Sequence, residues 1–359
     1  MNTIRKPIPT HTTIQASGSA TSVADLAARS ARRAQQRRRR ILGVSAFWAF
    51  VALVAVGVAR TNPDLGRIAD AGWWSQLGST VLAGWKTAIL NPWYWGLVAI
   101  LILAERRWPG REGEGALTTG GAQDLAWTIA YPVLNLTVVA LAVGILNAAY
   151  DGLLGGAQLD LTPVLGTLGV AVLAFLVADF GMWFTHWARH KVPTFWHFHA
   201  VHHAPTRMNP MVDNRVHLAE PVIATALVLV PSRLLGLEGQ AALALALATT
   251  FFTAFTHANL HTNLGPVRYV LVSPQAHRVH HSYAREHIDT NFGTVLSVWD
   301  RLFGTYYQGE DEYPTVGIPD TRFPLETEAT PAAVVAGVAR QTAYPFRQCI
   351  EDIGRYRTR

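Results

Sequence analysis

"PVLGTLGVAVLAFLVADFGMWFTHWARH", residues 163–190, joins a long apolar run to two histidines spaced four residues apart. The run at 163–185 is long enough for a helix to cross about 30 Å of hydrocarbon. His186 and His190 follow at a spacing that puts both side chains on one helical face. The stretch therefore predicts a membrane-spanning helix that ends in a pair of imidazoles.

The composition also indicates a membrane protein. Of 359 residues, 50% are hydrophobic and only 15% are charged, which is more apolar than an ordinary soluble enzyme. The single cysteine, Cys349, excludes a disulfide framework and any cysteine-based zinc or iron–sulfur site. A bound metal ion would therefore need nitrogen and oxygen ligands.

Further apolar runs predict the other membrane segments. The four predicted spans are 41–59, 80–104, 124–149 and 163–185. The second is interrupted by Lys86, Asn91 and Pro92. The runs at 221–237 and 241–256 contain Pro231 and Arg233, and they predict a hairpin that dips into the membrane from the cytoplasmic side.

Charge predicts the orientation. Seven arginines lie between Arg29 and Arg40, and Lys and Arg flanking a span tend to stay in the cytoplasm. Four spans then place both termini and the histidine-rich region on the cytoplasmic side of the cell (inner) membrane.

The arginine run has no interleaved aromatic residues, so we expect no nucleic-acid partner. The polar segment before 41–59 favours an uncleaved anchor over a signal peptide, because it exceeds a usual n-region.

The predicted fold class is therefore an all-α integral membrane protein. It has about four transmembrane helices and a membrane hairpin, with a cytoplasmic helical cap that carries the histidines. The predicted domains are a basic cytoplasmic segment at 1–40, membrane helices at 41–123, a histidine-box domain at 124–309 and a cytoplasmic tail at 310–359.

The histidines cluster strongly. Thirteen of the fourteen lie between His186 and His287. Ten of them form four motifs in the order HxxxH, HxxHH, HxxxH, HxxHH. They are His186 and His190; His199, His202 and His203; His257 and His261; and His277, His280 and His281. In each HxxHH box we expect the first two imidazoles to share a helix face and the third to turn about 100° toward a second ion.

These residue types indicate a transition-metal site. Neutral imidazole suits zinc, copper, iron and nickel, and the lack of a dense carboxylate set argues against magnesium or calcium. Ten histidines are too many for one ion, since a catalytic zinc takes about three protein ligands. "HWARH" lacks the glutamate of a zinc protease. For isolated histidines such as His11 and His217, a hydrogen bond to a carbonyl or a lipid headgroup is a better explanation than metal binding.

The order of the boxes, with "SPQAHRVHHS" and then "NFGTVLSVWDRLFGTYY" after the last one, resembles the fatty acid hydroxylase and sterol desaturase superfamily over about 124–307. The resemblance implies an integral-membrane di-iron enzyme, with the ten box histidines as ligands of two Fe ions and zinc as a substitute on overexpression. It also implies O2-dependent hydroxylation or desaturation of a lipid. One departure is "HHAP" in the second box, where a serine is expected.

Other polar residues are candidates for the catalytic site. Asp179 lies two turns before His186 on the same face, where we expect it to orient a ligand imidazole. Asn291 is a second candidate, and it follows the last box, which ends at His281. Weaker candidates are His197 and His287. Asp213, Asn214, Arg215 and Glu220 follow the second box and are either supports for the ligands or solvated loop residues.

The chain shows no GxGxxG after a strand and no cysteine set for an iron–sulfur cluster, so it has no visible reductase of its own. We therefore expect a separate electron donor, such as a ferredoxin or a cytochrome-b5-like protein. The basic residues expected to steer it to the cap are Arg189, Lys191, Arg207, Arg278 and Arg285.

The lipid class (fatty acyl, sphingoid, sterol or related) and the choice between hydroxylation and desaturation stay open. The alternative function is a histidine-rich membrane protein that binds or transports metal without oxygenase activity.

Overall fold

The computed structural model describes residues 71–116, 118–236 and 240–357, together with Val56 and Arg60. The predicted basic segment 1–40 and, apart from Val56, the predicted span 41–59 lie outside these residues. The described part of the chain is mostly helical and contains no strand, which confirms the helical class. Its α-helices are α1 (Ala71–Ile89), α2 (Pro92–Arg107), α3 (Thr119–Leu154), α4 (Thr162–Lys191), α5 (Pro193–His203), α6 (Glu220–Leu234), α7 (Gln240–His257), α8 (Pro274–His280), α9 (Val298–Leu302) and α10 (Pro331–Arg357).

Three helical stretches are long and apolar enough to cross a membrane, judged over the described residues. They are Gly78–Arg107, Thr119–Leu154 and Thr162–Lys191, at the positions of three predicted spans. Large apolar side chains point away from the protein, including Trp93, which is 79% exposed, and Ile100, which is 64% exposed. Such surfaces fit contact with lipid.

The polar residues that interrupt the second predicted span form a helix cap. Asn91 separates α1 from α2, and its side chain accepts hydrogen bonds from the backbone N–H groups of Trp93 and Tyr94. Pro92 occupies the first turn of α2, where its missing N–H costs nothing. The run at 80–104 is therefore built from two helices.

Helices α6 and α7 occupy the predicted hairpin. With 15 residues, α6 is shorter than the roughly 20 residues that a spanning helix needs. It packs against both α3 and α4. Helix α7 ends at His257, so its last turn reaches the histidine region.

A hydrophobic core lies between α3, α5 and α10. Trp127 of α3, Val201 of α5 and Tyr344 of α10 pack in one buried cluster. The indole N–H of Trp127 donates to Gln341 Oε1 at 2.8 Å. The segment predicted as a tail thus contributes to the core, while the predicted domain boundaries stay a prediction.

A buried ion network fixes the chain that follows the second histidine box. Arg215 is fully buried; it donates to Asp124 of α3, and to Glu326 Oε1 at 2.6 Å. Asn209 Nδ2 donates to the second oxygen of Asp124 at 2.6 Å. The network joins the start of α3, the loop after α5 and the segment before α10.

Replacing Arg215 by methionine should strongly destabilise the protein, because Asp124 would be left buried without its cation. We expect a loss of about 3 kcal/mol or more in the free energy of unfolding, measured by denaturation of the purified chain. Arg322→Met is the matched control. The side chain of Arg322 is 51% exposed where it pairs with Asp320, so its loss should cost about 1 kcal/mol or less. Equal losses in the two variants would contradict this account.

Candidate metal centre

Nine of the ten box histidines gather in two adjacent groups. Within each group, one ring nitrogen of every histidine lies within 4.8 Å of the others. The first group is His186, His190, His199, His203 and His280, and the second is His202, His257, His277 and His281. The groups touch, since the ring centroids of His203 and His281 are 4.3 Å apart. Their positions suit two metal ions side by side.

The imidazoles come from the ends of four helices. His186 and His190 lie in the last turns of α4, and His257 is the last residue of α7. The second box forms the last turn of α5, and the fourth box lies on α8, with His281 directly after that helix. Long apolar helices and short helices therefore converge on the two groups.

The boxes are shared between the groups differently from the prediction. In the second box, His199 and His203 enter the first group, and the middle imidazole of His202 enters the second. Residues four apart on a helix differ by about 40° in direction, whereas residues three apart differ by about 60° in the opposite sense. The first and third imidazoles of the box therefore point together. The fourth box follows the same rule, with His277 and His281 in the second group and His280 in the first.

Backbone carbonyls hold the Nδ1 atoms of two imidazoles of the first group. His186 Nδ1 lies 2.9 Å from the carbonyl oxygen of Phe292, and His280 Nδ1 lies 2.8 Å from that of Thr290. A carbonyl only accepts, so Nδ1 carries the proton in both rings. The lone pair of Nε2 is then directed toward the centre of the group, as in metal sites whose ligands are oriented by a second bond.

A carboxylate holds a third imidazole of this group. His199 Nδ1 lies 2.7 Å from Glu220 Oε2, and Arg189 Nε lies 3.4 Å from the same oxygen. The other Glu220 oxygen accepts from the backbone N–H of His217 at 3.1 Å. Of the two interpretations left open for Glu220, support of a ligand is the one that fits these contacts.

The remaining nitrogens of these three rings have no partner. Nε2 of His186, His199 and His280 are buried and make no hydrogen bond within the described residues. Leaving a buried polar atom unsatisfied costs about 1–3 kcal/mol, so three such atoms aimed at one point need a common partner. A metal ion held by five imidazoles would satisfy all of them, and the donor set suits iron or zinc.

In the second group the imidazoles approach nitrogen to nitrogen. His277 Nε2 lies 2.9 Å from His257 Nε2 and 3.2 Å from His281 Nε2. His257 Nε2 lies 3.2 Å from His202 Nε2. Two nitrogens bound about 2.1 Å from one ion at right angles are about 3.0 Å apart. The spacing is that of ligands around a single ion.

Burial keeps these imidazoles neutral. It lowers the pKa of His199, His203, His277 and His281 well below 6.5, and neighbouring imidazoles lower it further. Burial also lowers the pKa of His280 to about 4. Removal from water penalises the protonated ring, so at neutral pH the rings are in the form that binds metal.

His261 lies outside both groups. Its side chain is 55% exposed, and its Nε2 is 3.3 Å from Asp311 Oδ1. Its ring also stacks beside Tyr313, with centroids 4.3 Å apart. The HxxxH spacing placed it with His257, but α7 ends at His257, so His261 is not on the same helical face.

Asp179 is bonded differently from the prediction. It was expected to orient His186, but its oxygens accept from the backbone N–H groups of Val295 at 3.1 Å and Leu296 at 3.2 Å. The indole of Trp299 donates to it at 2.9 Å. Asp179 therefore holds the loop that follows Phe292, and acts on His186 only through that loop.

Asn291 and Asp300 hold the same loop. Asn291 has a positive φ of 56°; its Nδ2 donates to Ala276 O at 3.0 Å and its Oδ1 accepts from the backbone N–H of Tyr307 at 2.8 Å. Asp300, which carried no site assignment from the sequence, accepts from the backbone N–H groups of Phe292 at 2.8 Å and Gly293 at 2.6 Å. The only sequence signal for this arrangement is the segment "NFGTVLSVWD" itself.

Two of the other candidates, His197 and His287, bond to carboxylates outside the groups, whereas Asp213 Oδ1 lies 3.6 Å from His257 Nδ1 of the second group. His197 Nε2 is 2.9 Å from Asp352, and His287 Nε2 is 3.1 Å from Glu312. Arg278 was expected to face an electron donor, but it is 2% exposed. Its guanidinium binds Glu114 at 2.7 Å and Asn259 at 2.6 Å, so it is structural.

Two cavities reach the groups. One, of about 280 Å³, is lined by residues of α3, α4, α6 and α7 and touches imidazoles of both groups. The other, of about 480 Å³, lies among α5, α10 and the segment 282–289, and touches His190, His203 and His280. The centre is therefore reached from the side of α3, α4, α6 and α7 and, separately, from the side of α5 and α10.

Apolar helices that end in two adjacent imidazole groups define a histidine-box membrane protein. Residues 171–305 match the fatty acid hydroxylase family. The chain belongs to the fatty acid hydroxylase and sterol desaturase superfamily, as its boxes predicted.

Several relatives share this domain. The chain is 30% identical to ornithine lipid hydroxylase OlsE of Rhizobium tropici over 231 residues, which are 60% of this chain and 66% of the relative. It is 30% identical to alkylglycerol monooxygenase of Homo sapiens over 145 residues, 40% of this chain and 32% of the relative. The matches thus span about two thirds of the first relative and about a third of the second. No solved structure matches the chain.

His257→Ala and His261→Ala form a matched pair, because both residues belong to one HxxxH box. We expect the wild-type chain to bind two metal ions, His257→Ala to retain about one, and His261→Ala to retain both. Elemental analysis of protein purified from iron-supplemented cells measures this directly. An equal loss of metal in the two variants would contradict the placement of His261 outside the centre.

Proposed function

We propose that the chain is a membrane-bound non-haem di-iron oxygenase that hydroxylates or desaturates a lipid. Hydroxylation balances as R–H + O2 + 2 electrons + 2 H⁺ giving R–OH + H2O. Desaturation balances as a CH2–CH2 unit + O2 + 2 electrons + 2 H⁺ giving CH=CH + 2 H2O. Both reactions use the same ligands.

The observation that carries the proposal is the pair of imidazole groups with inward-facing nitrogens. The five histidines of the first group would together hold one iron ion, and the four of the second group would hold another. Bound iron would supply the activation of O2 that an unactivated C–H bond requires. Glu220 and the carbonyls of Phe292 and Thr290 would keep the rings oriented through their Nδ1 atoms.

Lipid as the substrate is supported by the position of the cavity. The cavity of about 280 Å³ is bounded by α3, α4, α6 and α7, of which α3 and α4 are long and apolar enough to span. A substrate in the bilayer would reach the centre between these helices without crossing water. Two relatives, ornithine lipid hydroxylase and alkylglycerol monooxygenase, have names that describe lipid oxidation.

We further propose four spans and a membrane hairpin, with the cap and both termini cytoplasmic in the inner membrane. Three candidate spans and the short α6 support this arrangement. In it, the cavity of about 480 Å³ opens on the cytoplasmic side.

The two electrons would come from a separate protein, such as a ferredoxin or a cytochrome-b5-like carrier. The cap-side cavity supports docking there, because three imidazoles of the first group line it. Arg278 is buried and so cannot attract the donor. Arg285 is exposed, and its positive charge would steer an acidic donor protein to this side.

Expression of the full chain with a ferredoxin and its reductase tests the function. We expect comparative lipidomics to show lipids heavier by one oxygen or lighter by two hydrogens. His277→Ala is the control: it removes an imidazole of the second group and should abolish the product while the chain still enters the membrane. Unchanged lipids in cells whose wild-type chain carries iron would contradict the proposal.

A further inference from the structure

Two segments that are far apart in the chain carry a run of exposed apolar side chains next to α4. One segment is the short turn Gly265–Tyr269 with the residue after it, and the other is α9 with Phe303. Their exposed large side chains form what we call the α9 surface. These are Val267, Tyr269, Val270, Val298, Leu302 and Phe303, which are between 38% and 68% exposed.

Hydrogen bonds hold the two segments side by side. The backbone N–H of Ser297 donates to Val270 O at 2.9 Å, and its hydroxyl donates to Arg268 O at 2.7 Å. The guanidinium of Arg301 donates to the same Arg268 carbonyl at 3.2 Å and lies over the ring of Tyr269, 4.7 Å from its centroid. The α9 surface is therefore one continuous feature of the fold. Adjoining exposed apolar side chains of this kind mark a site of interaction.

The α9 surface lies beside the apolar run of α4. The ring of Phe303 stacks on Trp183, with centroids 4.6 Å apart, and Trp299 lies against Phe180 at 5.2 Å. Both α4 residues belong to the last two turns of the run 163–185. If α4 crosses the bilayer with this run in the hydrocarbon, α9 is carried to the same depth, at the edge of the hydrocarbon layer.

The residue types suit the boundary between hydrocarbon and headgroups. The only carboxylate within 265–272 and 295–303 is Asp300, which is 1% exposed. Aromatic rings and arginines settle at this boundary, because their apolar parts enter the hydrocarbon while their polar ends stay at its surface. An acidic protein would find little free charge here, since Arg268 already pairs with Glu310 at 2.5 Å.

We propose that the α9 surface inserts into the bilayer leaflet at the histidine end of α4. In this position Val270, Leu302 and Phe303 contact the lipid chains just below the headgroups, and Arg268 and Arg301 lie level with the headgroups. The occupant of the surface is therefore lipid. Part of the region predicted as a cap outside the membrane is then embedded in the membrane interface. The inference rests on α4 as a span and does not require the proposed oxygenase reaction.

Insertion would also set the depth of the metal centre. Asp300 of α9 holds the backbone N–H of Phe292 at 2.8 Å. The carbonyl of Phe292 in turn lies 2.9 Å from His186 Nδ1. The segment that rests in the leaflet is thus two hydrogen bonds away from an imidazole of the first group.

Fluorescence quenching in liposomes tests the insertion. Cys349, the single cysteine, is removed by Cys349→Ser, and Leu302→Cys or Val270→Cys introduces a site for a nitrobenzoxadiazole label. The iron-loaded full chain is reconstituted in phosphatidylcholine and phosphatidylglycerol. We expect both labels to lose fluorescence to lipids that carry a nitroxide near the headgroup, more than to lipids that carry it near the chain end. Both should be shielded from iodide in the water.

Two exposed apolar residues elsewhere provide matched controls. Ile100→Cys changes a residue of α2 that is 64% exposed in a candidate span, and its label should be quenched by nitroxide lipids only. Leu325→Cys changes a residue that is 40% exposed before α10, and its label should be quenched by iodide only. Iron content equal to that of the wild type shows that a variant is folded, and Val270→Cys repeats the test on the other segment if Leu302→Cys loses iron.

Two results would overturn the proposal. If iodide quenches the labels of the α9 surface as strongly as the label at position 325, the surface faces water. If neither quencher reaches them, protein covers the surface, and a second copy of the chain is then its occupant in place of lipid.

Discussion

The hydrogen bond from imidazole Nδ1 to a protein acceptor is the interaction on which the rest of the centre depends. It is made by His186, His199 and His280 in the first group and by His257, to Thr253 O, in the second. Each bond fixes the tautomer and turns Nε2 inward. Without these bonds, nothing would fix the ring orientations, and the Nε2 atoms of these imidazoles would not be directed toward two common centres.

The acceptors are themselves held by carboxylates one step further out. The carbonyls of Thr290 and Phe292 belong to a loop that Asp300 binds through the N–H groups of Phe292 and Gly293. Asp179, from α4, binds the next part of that loop at Val295 and Leu296. The membrane helix thus fixes its own His186 by way of the loop. A carboxylate in an apolar helix is costly unless bonded, and here its bonds build the frame of the centre.

Much of this arrangement was predictable from the sequence, because it depends on local spacing. The apolar runs placed the helices, and repeated histidine spacing identified nine residues that the structure brings together. The sequence alone could not show where a helix ends or which backbone carbonyl a loop presents to a histidine. His261 left the group because α7 ends at His257. The division of each HxxHH box follows from helix geometry, because residues four apart differ by about 40° in direction and residues three apart by about 60°. The sequence suggests that Arg278 is a surface cation. In the structure it is buried, and its guanidinium pairs with Glu114, which lies far away in the chain.

The central claim is that the two imidazole groups each hold one iron ion. Anomalous diffraction at the iron absorption edge, from crystals of the full chain grown with iron, tests it most directly. We expect two neighbouring iron peaks, one among His186, His190, His199, His203 and His280, and the other among His202, His257, His277 and His281. A single peak, or a peak whose ligands include His261, would contradict it.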